Sequence, residues 1–209
     1  MWIIISILIS IIILGCIILP PSTGKPNPFL DEKGNVIAGS ISEKIHVEIN
    51  GVALGMFIKA KDTSKPVLLF LPGGPGIPEY LLADKYPTGL ENEFVVCYLE
   101  YRGTSLSYIP DMSPETVTTN QYIADVVGVT NYLATRFEQK KIYLMGHSFG
   151  TYIGLKTAAQ YPELYHAYIA MSQNANQAES ENMAYGYMLE QYESAGNTKM
   201  VQQFESYPI

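Results

Sequence analysis

Along this chain, apolar and polar side chains alternate at first, and continuous apolar runs follow later. Residues 45–49 alternate between apolar and polar side chains, and residues 52–58 are again rich in apolar side chains. Between them stands Asn50-Gly51, a pair that strongly favours a tight hairpin turn. The pattern therefore predicts two antiparallel strands at the start of the folded part of the chain.

Further along, apolar runs alternate with segments of helical spacing. Residues 67–71 and 94–99 are apolar throughout, which is typical of strands covered on both faces. Residues 121–137 carry apolar side chains at helical intervals. The remaining predicted elements are a strand at 142–145, a helix at 149–160 that stops before Pro162, and a strand at 168–171. This order indicates an α/β fold with a mostly parallel sheet, whose ligands bind at the carboxyl ends of the strands.

The amino-terminal segment has a different character. Residues 2–19 contain no charged side chain, and as a helix of roughly 27 Å they would nearly cross the hydrocarbon core of a bilayer. Residues 13–16, Ile-Leu-Gly-Cys, loosely resemble a bacterial lipoprotein box in which Cys16 would be lipidated. We expect a membrane anchor or lipoprotein, with a cleaved signal and a secreted protein as the alternative. In either case the body of the protein is expected outside the cytoplasm.

The domain organisation follows from these patterns. Residues 1–20 are the membrane or signal segment, and the proline-rich residues 21–35 are expected to form a linker. Residues 36–175 hold the strand and helix pattern of one domain core. Residues 176–209 lack the pattern of late strands and instead predict helices at 177–194 and around 199–204.

Composition narrows the classes of function. The net charge of −7 argues against a nucleic-acid partner, which would need a basic patch. The two cysteines form no Cys-x-x-Cys pair, so neither a metal site nor a disulfide framework is expected, and Cys97 in an apolar run is expected to be buried. The glycines at 73–76 do not match the dinucleotide fingerprint, and no phosphate-binding Gly-Lys-Ser/Thr follows them. No cofactor is therefore expected.

The candidate chemistry begins at residues 146–150, which read Gly-His-Ser-Phe-Gly. This segment directly follows a predicted strand and opens a predicted helix, the context that a nucleophile elbow requires. Side chains at Gly146 and Gly150 would collide with the strand and helix around the strained turn. The pattern predicts Ser148 as the nucleophile, and the alternative is a glycine-rich turn with a capping serine.

A second glycine-rich segment supports the first. Residues 72–76, Pro-Gly-Gly-Pro-Gly, follow a central predicted strand and let backbone amides approach a substrate carbonyl. The oxyanion that forms during attack would be bound by the amide of Phe149 and by an amide of this segment, from Gly74 or its neighbour Gly73.

These motifs resemble those of the α/β-hydrolase superfamily, and within it the prolyl iminopeptidase-like branch. The resemblance covers roughly residues 45–175, the amino-terminal half of such a domain. That branch carries His-Gly-Gly-Pro-Gly, of which residues 72–76 keep all but the histidine. It also carries Asp-Gln-Arg-Gly-x-Gly-x-Ser, of which residues 100–107 keep the arginine, a glycine and the last serine. The resemblance implies a site-supporting Arg102 and a hydrolase, and leaves open whether the activity is proline-specific.

A serine nucleophile needs a base, and the sequence supplies no clear one. In this fold the acid and then the histidine follow the serine, yet the one histidine after Ser148 is His166, expected just before a strand at the far end of the sheet. His147 is next to the serine in a turn where neighbours point apart, and His46 lies in the opening hairpin. In the family that this chain resembles, helices inserted at this point of the fold form a lid, so the resemblance implies that residues 176–209 are the start of a helical lid. We therefore expect a chain truncated within the lid and inactive by itself.

The preferred hypothesis is a serine hydrolase that attacks a peptide or ester carbonyl through Ser148, with aminopeptidase-like activity. The alternatives are a carboxylesterase or lipase, and a non-catalytic, membrane-tethered remnant. The expected partners are a small peptide or ester and the membrane, through residues 2–19.

Overall fold

The structure is a computed structural model that describes residues 24–207. Its first strands, β1 (Ile41–Ile49) and β2 (Val52–Ala60), pair antiparallel from Ile41↔Ala60 to Ile49↔Val52. Asn50 and Gly51 both have positive φ, at 49° and 76°, as a tight two-residue hairpin turn requires. The predicted hairpin is confirmed, and continued backbone pairing makes both strands longer than the alternating pattern.

The other strands extend this hairpin into one mostly parallel sheet. They are β3 (Val67–Leu71), β4 (Val95–Leu99), β5 (Ile142–His147) and β6 (Tyr165–Met171). The spatial order is β1-β2-β4-β3-β5-β6. Strand β2 meets β4 antiparallel, whereas β4, β3, β5 and β6 run parallel. The predicted α/β class is therefore confirmed, and the carboxyl ends of β3, β4 and β5 lie at one edge of the sheet.

Strand β6 begins three residues earlier than the sequence pattern predicts. Tyr165 already pairs with Ile142, across a register irregularity, and the polar His166 interrupts the apolar pattern without interrupting the strand. His166 thus lies within β6 and not before it, which corrects the prediction. It still lies at the amino end of the strand, away from Ser148, which follows the carboxyl end of β5.

Five α-helices accompany the sheet among residues 24–207. They are α1 (Glu79–Lys85), α2 (Thr119–Arg136), α3 (Phe149–Gln160), α4 (Gln177–Ser194) and α5 (Thr198–Glu205). Helix α2 begins earlier than predicted because the Thr118 hydroxyl caps it, accepting the amide of Gln121 at 3.1 Å. Helix α1 was not predicted, since seven residues are too few to display a helical period.

Alternate residues of the central strands pack into two apolar layers. On one face, β3 residues such as Leu69 pack with Val126 and Val129 of α2 and Ile153 of α3. On the other face, aromatic side chains dominate, and the rings of Phe57 and Tyr80 stack at 3.8 Å. The other buried members of that layer are Leu68, Phe70, Val96 and Tyr98. Burying each large apolar side chain in this way contributes about 1.5–3 kcal/mol to the free energy of folding, so both layers stabilise the sheet and its carboxyl edge.

Cys97 lies in the first of these layers and is fully buried, as predicted. Burial raises the pKa of its thiol, so the group stays a neutral apolar filler.

Helices α4 and α5 pack mainly on each other, through the rings of Tyr185 and Tyr192 against Phe204. No described side chain of α4 is buried, and Met183 and Tyr187 are 70% and 63% exposed. Met183 and Tyr187 therefore belong to neither of the two apolar layers.

None of the helices within residues 24–207 combines the length and hydropathy that a bilayer crossing needs. The predicted membrane segment at 2–19 lies outside the described residues.

Candidate active site

Ser148 occupies a sharp turn between β5 and α3. Its φ of 50° and ψ of −117° form a conformation that non-glycine residues rarely adopt. The surrounding backbone compensates for this strain. The Ser148 amide donates to the Met171 carbonyl at 3.0 Å, and its carbonyl accepts from the amide and hydroxyl of Thr151, at 2.9 and 2.6 Å. The serine is therefore held in one orientation at the amino terminus of α3.

Gly146 and Gly150 make this turn sterically possible. A Cβ on Gly146 would lie 2.5 Å from the Gly150 carbonyl oxygen. A Cβ on Gly150 would lie 2.2 Å from the Leu71 carbonyl oxygen, at the end of β3. Both contacts are with backbone, which cannot rotate away, so side chains at these positions would push α3 off the sheet.

The segment of residues 72–78, called the glycine loop below, joins β3 to α1 beside this turn. A Cβ on Gly73 would lie 3.2 Å from Ser148 Cβ, so the loop and the serine are in close contact. Gly74 has a φ of 109°, in a region that favours glycine. The Gly73 amide donates to Glu79 Oε1 at 2.7 Å. Within residues 24–207, the amides of Gly74 and Phe149 have no hydrogen-bond acceptor, so both can bind a ligand.

Glu79, the first residue of α1, was not singled out from the sequence. Its carboxylate is buried, and Oε1 lies 2.5 Å from His147 Nδ1 in addition to the Gly73 amide. The one sequence signal that could have found it is an acidic residue at the start of a helix that follows a glycine-rich loop. That signal is hidden here because α1 is short.

Arg102 follows β4 and forms a buried bidentate ion pair. Its Nε and Nη2 donate to the carboxylate of Asp125 on α2, at 2.6 and 2.8 Å. Asp125 also accepts hydrogen bonds from Asn50 at 2.9 Å and Gln121 at 3.0 Å. The guanidinium therefore joins the end of β4 to α2 and to the hairpin turn, and Asp125 raises its pKa further.

The two residues before Arg102, Glu100 and Tyr101, each carry a buried side-chain oxygen that has no hydrogen-bond partner among residues 24–207. Glu100 is 1% exposed, and its Oε2 has no hydrogen-bond partner among the described residues. Burial raises the pKa of Glu100 to about 7; a hydrogen bond from Ser105 opposes this shift and the charge of Glu79 adds to it. The hydroxyl of Tyr101 is likewise buried and unpartnered in the described part of the chain, and burial raises its pKa. Neither residue was singled out from the sequence, because the burial of its side chain depends on the tertiary fold.

A cavity of about 340 Å³ opens beside His147, between α1 and the sheet. Its wall is mainly apolar, and Glu79 and His147 supply a carboxylate and an imidazole; the other lining residues include Phe70, Leu82, Tyr98 and Met171. A cavity of this character can take an apolar group beside the elbow. Residues 24–207 contain no cluster of three or more His, Cys, Asp or Glu side chains suited to a metal ion.

The three histidines all have other partners. His147 Nδ1 contacts Glu79, His46 Nε2 lies 3.0 Å from the Leu106 carbonyl, and the ring of His166 packs on Tyr143. In the described part of the chain, no histidine makes a hydrogen bond to the Ser148 hydroxyl.

The chain belongs to the α/β-hydrolase family. Residues 66–208 match the family model described as alpha/beta hydrolase fold. The chain is 36% identical, over 155 residues, to "Probable aminopeptidase YbaC" of Bacillus subtilis strain 168. This alignment covers 74% of the chain and 49% of YbaC, so the chain spans about half the length of that curated relative.

Solved structures agree on the fold. A proline iminopeptidase-related protein from Thermus thermophilus superimposes with a TM-score of 0.53 at 24% identity, covering 62% of this chain and 44% of that protein. An epoxide hydrolase from Vigna radiata superimposes with a TM-score of 0.55 at 23% identity, covering 65% and 39%. At identities this low, the superpositions support a shared fold but give no information about the substrate.

Proposed function

We propose that this chain carries the nucleophile and oxyanion site of a serine hydrolase that acts on a peptide or ester carbonyl, with aminopeptidase-like activity. The observation that carries the proposal is the strained backbone of Ser148, beside two amides with no acceptor in the described chain. Strain of this kind persists where the surrounding structure enforces it, and it is concentrated at functional sites. The aminopeptidase named among the relatives supports a peptide substrate.

In the proposed reaction, Ser148 Oγ attacks the carbonyl carbon and transfers its proton to a base. The carbonyl oxygen becomes an oxyanion, which accepts hydrogen bonds from the amides of Phe149 and Gly74. Gly73 is the weaker candidate of the two glycines because its amide already donates to Glu79. The positive end of α3 favours the same charge. The intermediate then collapses: the C–N or C–O bond of the substrate breaks, and the amine or alcohol leaves with the proton that the base received. Water attacks the resulting acyl-enzyme, the ester bond to Ser148 Oγ breaks, the carboxylic acid is released and the serine regains its proton.

One observation favours a second candidate, a non-catalytic protein. Among residues 24–207 no histidine contacts the Ser148 hydroxyl, and a serine at its ordinary pKa is a poor nucleophile. On the first proposal, the acid and base of the triad are supplied from outside the described residues. On the second, the site binds a carbonyl ligand without turning it over.

Turnover of two chromogenic substrates tests the proposal and separates its branches. Proline β-naphthylamide reports aminopeptidase activity, and p-nitrophenyl acetate reports esterase activity. We expect hydrolysis of the first by a protein in which the acid and base of the triad are present, abolished by Ser148→Ala, and no turnover by the 209-residue chain alone. Hydrolysis of the ester alone would identify an esterase. Equal background rates for that protein and for its Ser148→Ala variant with both substrates would support the non-catalytic candidate.

We further propose that residues 2–19 attach the protein to a membrane, with the folded part outside the cytoplasm. The support is the absence of charge over a length that suits a bilayer. The protein is expected in the membrane fraction and to be digested by protease added to intact spheroplasts. Cys16→Ala distinguishes a lipoprotein, which would lose its lipid mass, from an anchor, which would be unchanged. A protein protected from external protease would contradict the proposal.

A further inference from the structure

The carboxylate of Glu79 lies between the two segments that carry the candidate oxyanion donors. One segment is the glycine loop, residues 72–78, and the other is the elbow, residues 146–150. Glu79 Oε1 accepts the amide of Gly73 at 2.7 Å and lies 2.5 Å from His147 Nδ1. A single oxygen atom therefore connects both segments.

The positions of these contacts in the sequence matter. Gly73 directly precedes Gly74, and His147 lies two residues before Phe149. If Gly73 or His147 moved, the donor amide of Gly74 or Phe149 would move with it, because only one or two peptide units separate them. A Cβ on Gly73 would lie 3.1 Å from Glu79 Oε1, 3.2 Å from Ser148 Cβ and 3.3 Å from His147 Nδ1. The carboxylate, the serine and the histidine thus surround the same small space.

The environment strengthens these contacts. Glu79 is buried, and hydrogen bonds to a carboxylate are shorter and stronger than those between neutral groups. Three of the seven residues of the glycine loop are glycines, which contribute no side-chain contacts. Apart from the Glu79 contact, the hydrogen bond that closes the loop joins the Ile77 amide to the Gly73 carbonyl at 3.3 Å.

We propose that Glu79 is a positioning residue that holds the glycine loop against the elbow, so that the amides of Gly74 and Phe149 face the same oxyanion. The residue touches neither the reacting carbonyl nor the Ser148 hydroxyl; it acts through Gly73 and His147. This inference rests on the proposed serine hydrolase function, because positioning of the two amides has a consequence only for a reaction that develops negative charge there.

The test compares Glu79→Leu with Glu79→Gln in a protein that contains this chain together with the acid and base that the proposed function requires. Leucine removes the acceptor and leaves the Gly73 amide without a partner. Glutamine keeps an acceptor oxygen in the same place and removes the charge. For Glu79→Leu we expect kcat to fall about 10-fold to 100-fold with KM changed less than about threefold, since the loss is confined to the transition state. For Glu79→Gln we expect kcat within about fivefold of the unsubstituted chain.

Glu43 offers a control. It is a partly buried glutamate of β1 that pairs with Arg136 at 2.6 Å, at the end of α2, and it does not line the cavity beside His147. Glu43→Leu should leave kcat unchanged even if it lowers the melting temperature. A fall of kcat in Glu43→Leu equal to that in Glu79→Leu would assign both effects to general stability and overturn the proposal.

A second readout does not depend on turnover. In the unsubstituted chain, the Gly73 amide proton should appear far downfield in the amide NMR spectrum and exchange slowly with solvent. Both properties should be lost in Glu79→Leu and kept in Glu79→Gln. If the protein that includes the acid and base has no Ser148-dependent activity but these NMR results hold, the proposed reaction fails while the Glu79 contact stands. If the Gly73 amide exchanges as fast in the unsubstituted chain as in Glu79→Leu, the positioning role is wrong.

Discussion

Gly150→Ala is the substitution that tests the geometry of the elbow most severely. The added methyl would lie 2.2 Å from the Leu71 carbonyl oxygen and 2.8 Å from that of Pro72. Restoring ordinary contact requires α3 to move away from β3 by roughly 1 Å, because contacting atoms prefer separations of about 3.5 Å. The obstructing atoms are backbone atoms of a buried strand end, so no side chain can rotate to make space.

The expected loss of stability follows from two opposing effects. Overpacking a close-packed interior costs about 1–3 kcal/mol and occasionally more, and contact with backbone places this substitution at the upper end. Alanine in a helix is favoured over glycine by about 1 kcal/mol, which offsets part of that cost. We expect a net loss of about 2 kcal/mol or more. The displaced Pro72 begins the glycine loop, so Ser148-dependent activity should fall as well.

Gly186→Ala is the matched control. Gly186 lies in α4, and an added Cβ there has no atom within 4 Å. Because no steric clash opposes it, the higher helix propensity of alanine decides the outcome, and we expect Gly186→Ala to stabilise the chain by about 0.5–1 kcal/mol. Urea unfolding followed by far-ultraviolet circular dichroism gives both changes as shifts in midpoint at constant slope. If Gly150→Ala unfolds within about 0.5 kcal/mol of the unsubstituted chain, the packing of α3 against β3 described above is wrong.

The other predictions concern the polar groups behind the elbow. Arg102→Met should lower the free energy of unfolding by about 3–5 kcal/mol in the same urea assay, because it leaves the buried carboxylate of Asp125 without its cation; a loss below about 1 kcal/mol would contradict this role. The pKa of Glu100 rises from its ordinary value of 4.5 to about 7 in the folded protein, so the protonated side chain favours the folded state. This stabilisation is complete below about pH 4.5 and is lost as the pH rises through about 7. Glu100→Gln should therefore melt higher than the unsubstituted chain at about pH 8, by an amount equivalent to at most about 3 kcal/mol, and close to it at about pH 4. An equal difference at both pH values would show that the ionisation of Glu100 is not responsible.

Sequence patterns predicted most of the sheet and little of the contact network around the site. The bounds of β3 and α3 follow directly from a buried apolar run and from a helix between a glycine turn and Pro162, so local signals agree with the tertiary fold there. The start of β6 was missed because His166 faces outward on a strand whose pairing, and not its hydrophobicity, defines it. Helix α1 was missed because it is short.

The candidate site divides in the same way. The strained turn at Ser148 and the glycine loop beside it were predicted because strained backbone demands particular residue types at fixed spacing. The contact of Glu79 with His147 was not predicted because the two residues lie 68 positions apart in the sequence, and no local pattern records such a contact. The partner of Arg102 and the unpartnered oxygen of Glu100 in the described chain were missed for the same reason.

The central claim is that Ser148 is a nucleophile, and covalent labelling tests it most directly. A protein that contains this chain together with the acid and base of the triad is incubated with a fluorophosphonate, digested, and analysed by mass spectrometry for the modified peptide. Ser172 provides the matched control, since it too follows a parallel strand and has a positive φ, of 56°. We predict one adduct on Ser148, lost in Ser148→Ala and kept in Ser172→Ala. No adduct on Ser148, or labelling that persists in Ser148→Ala, would contradict the assignment of Ser148 as the nucleophile.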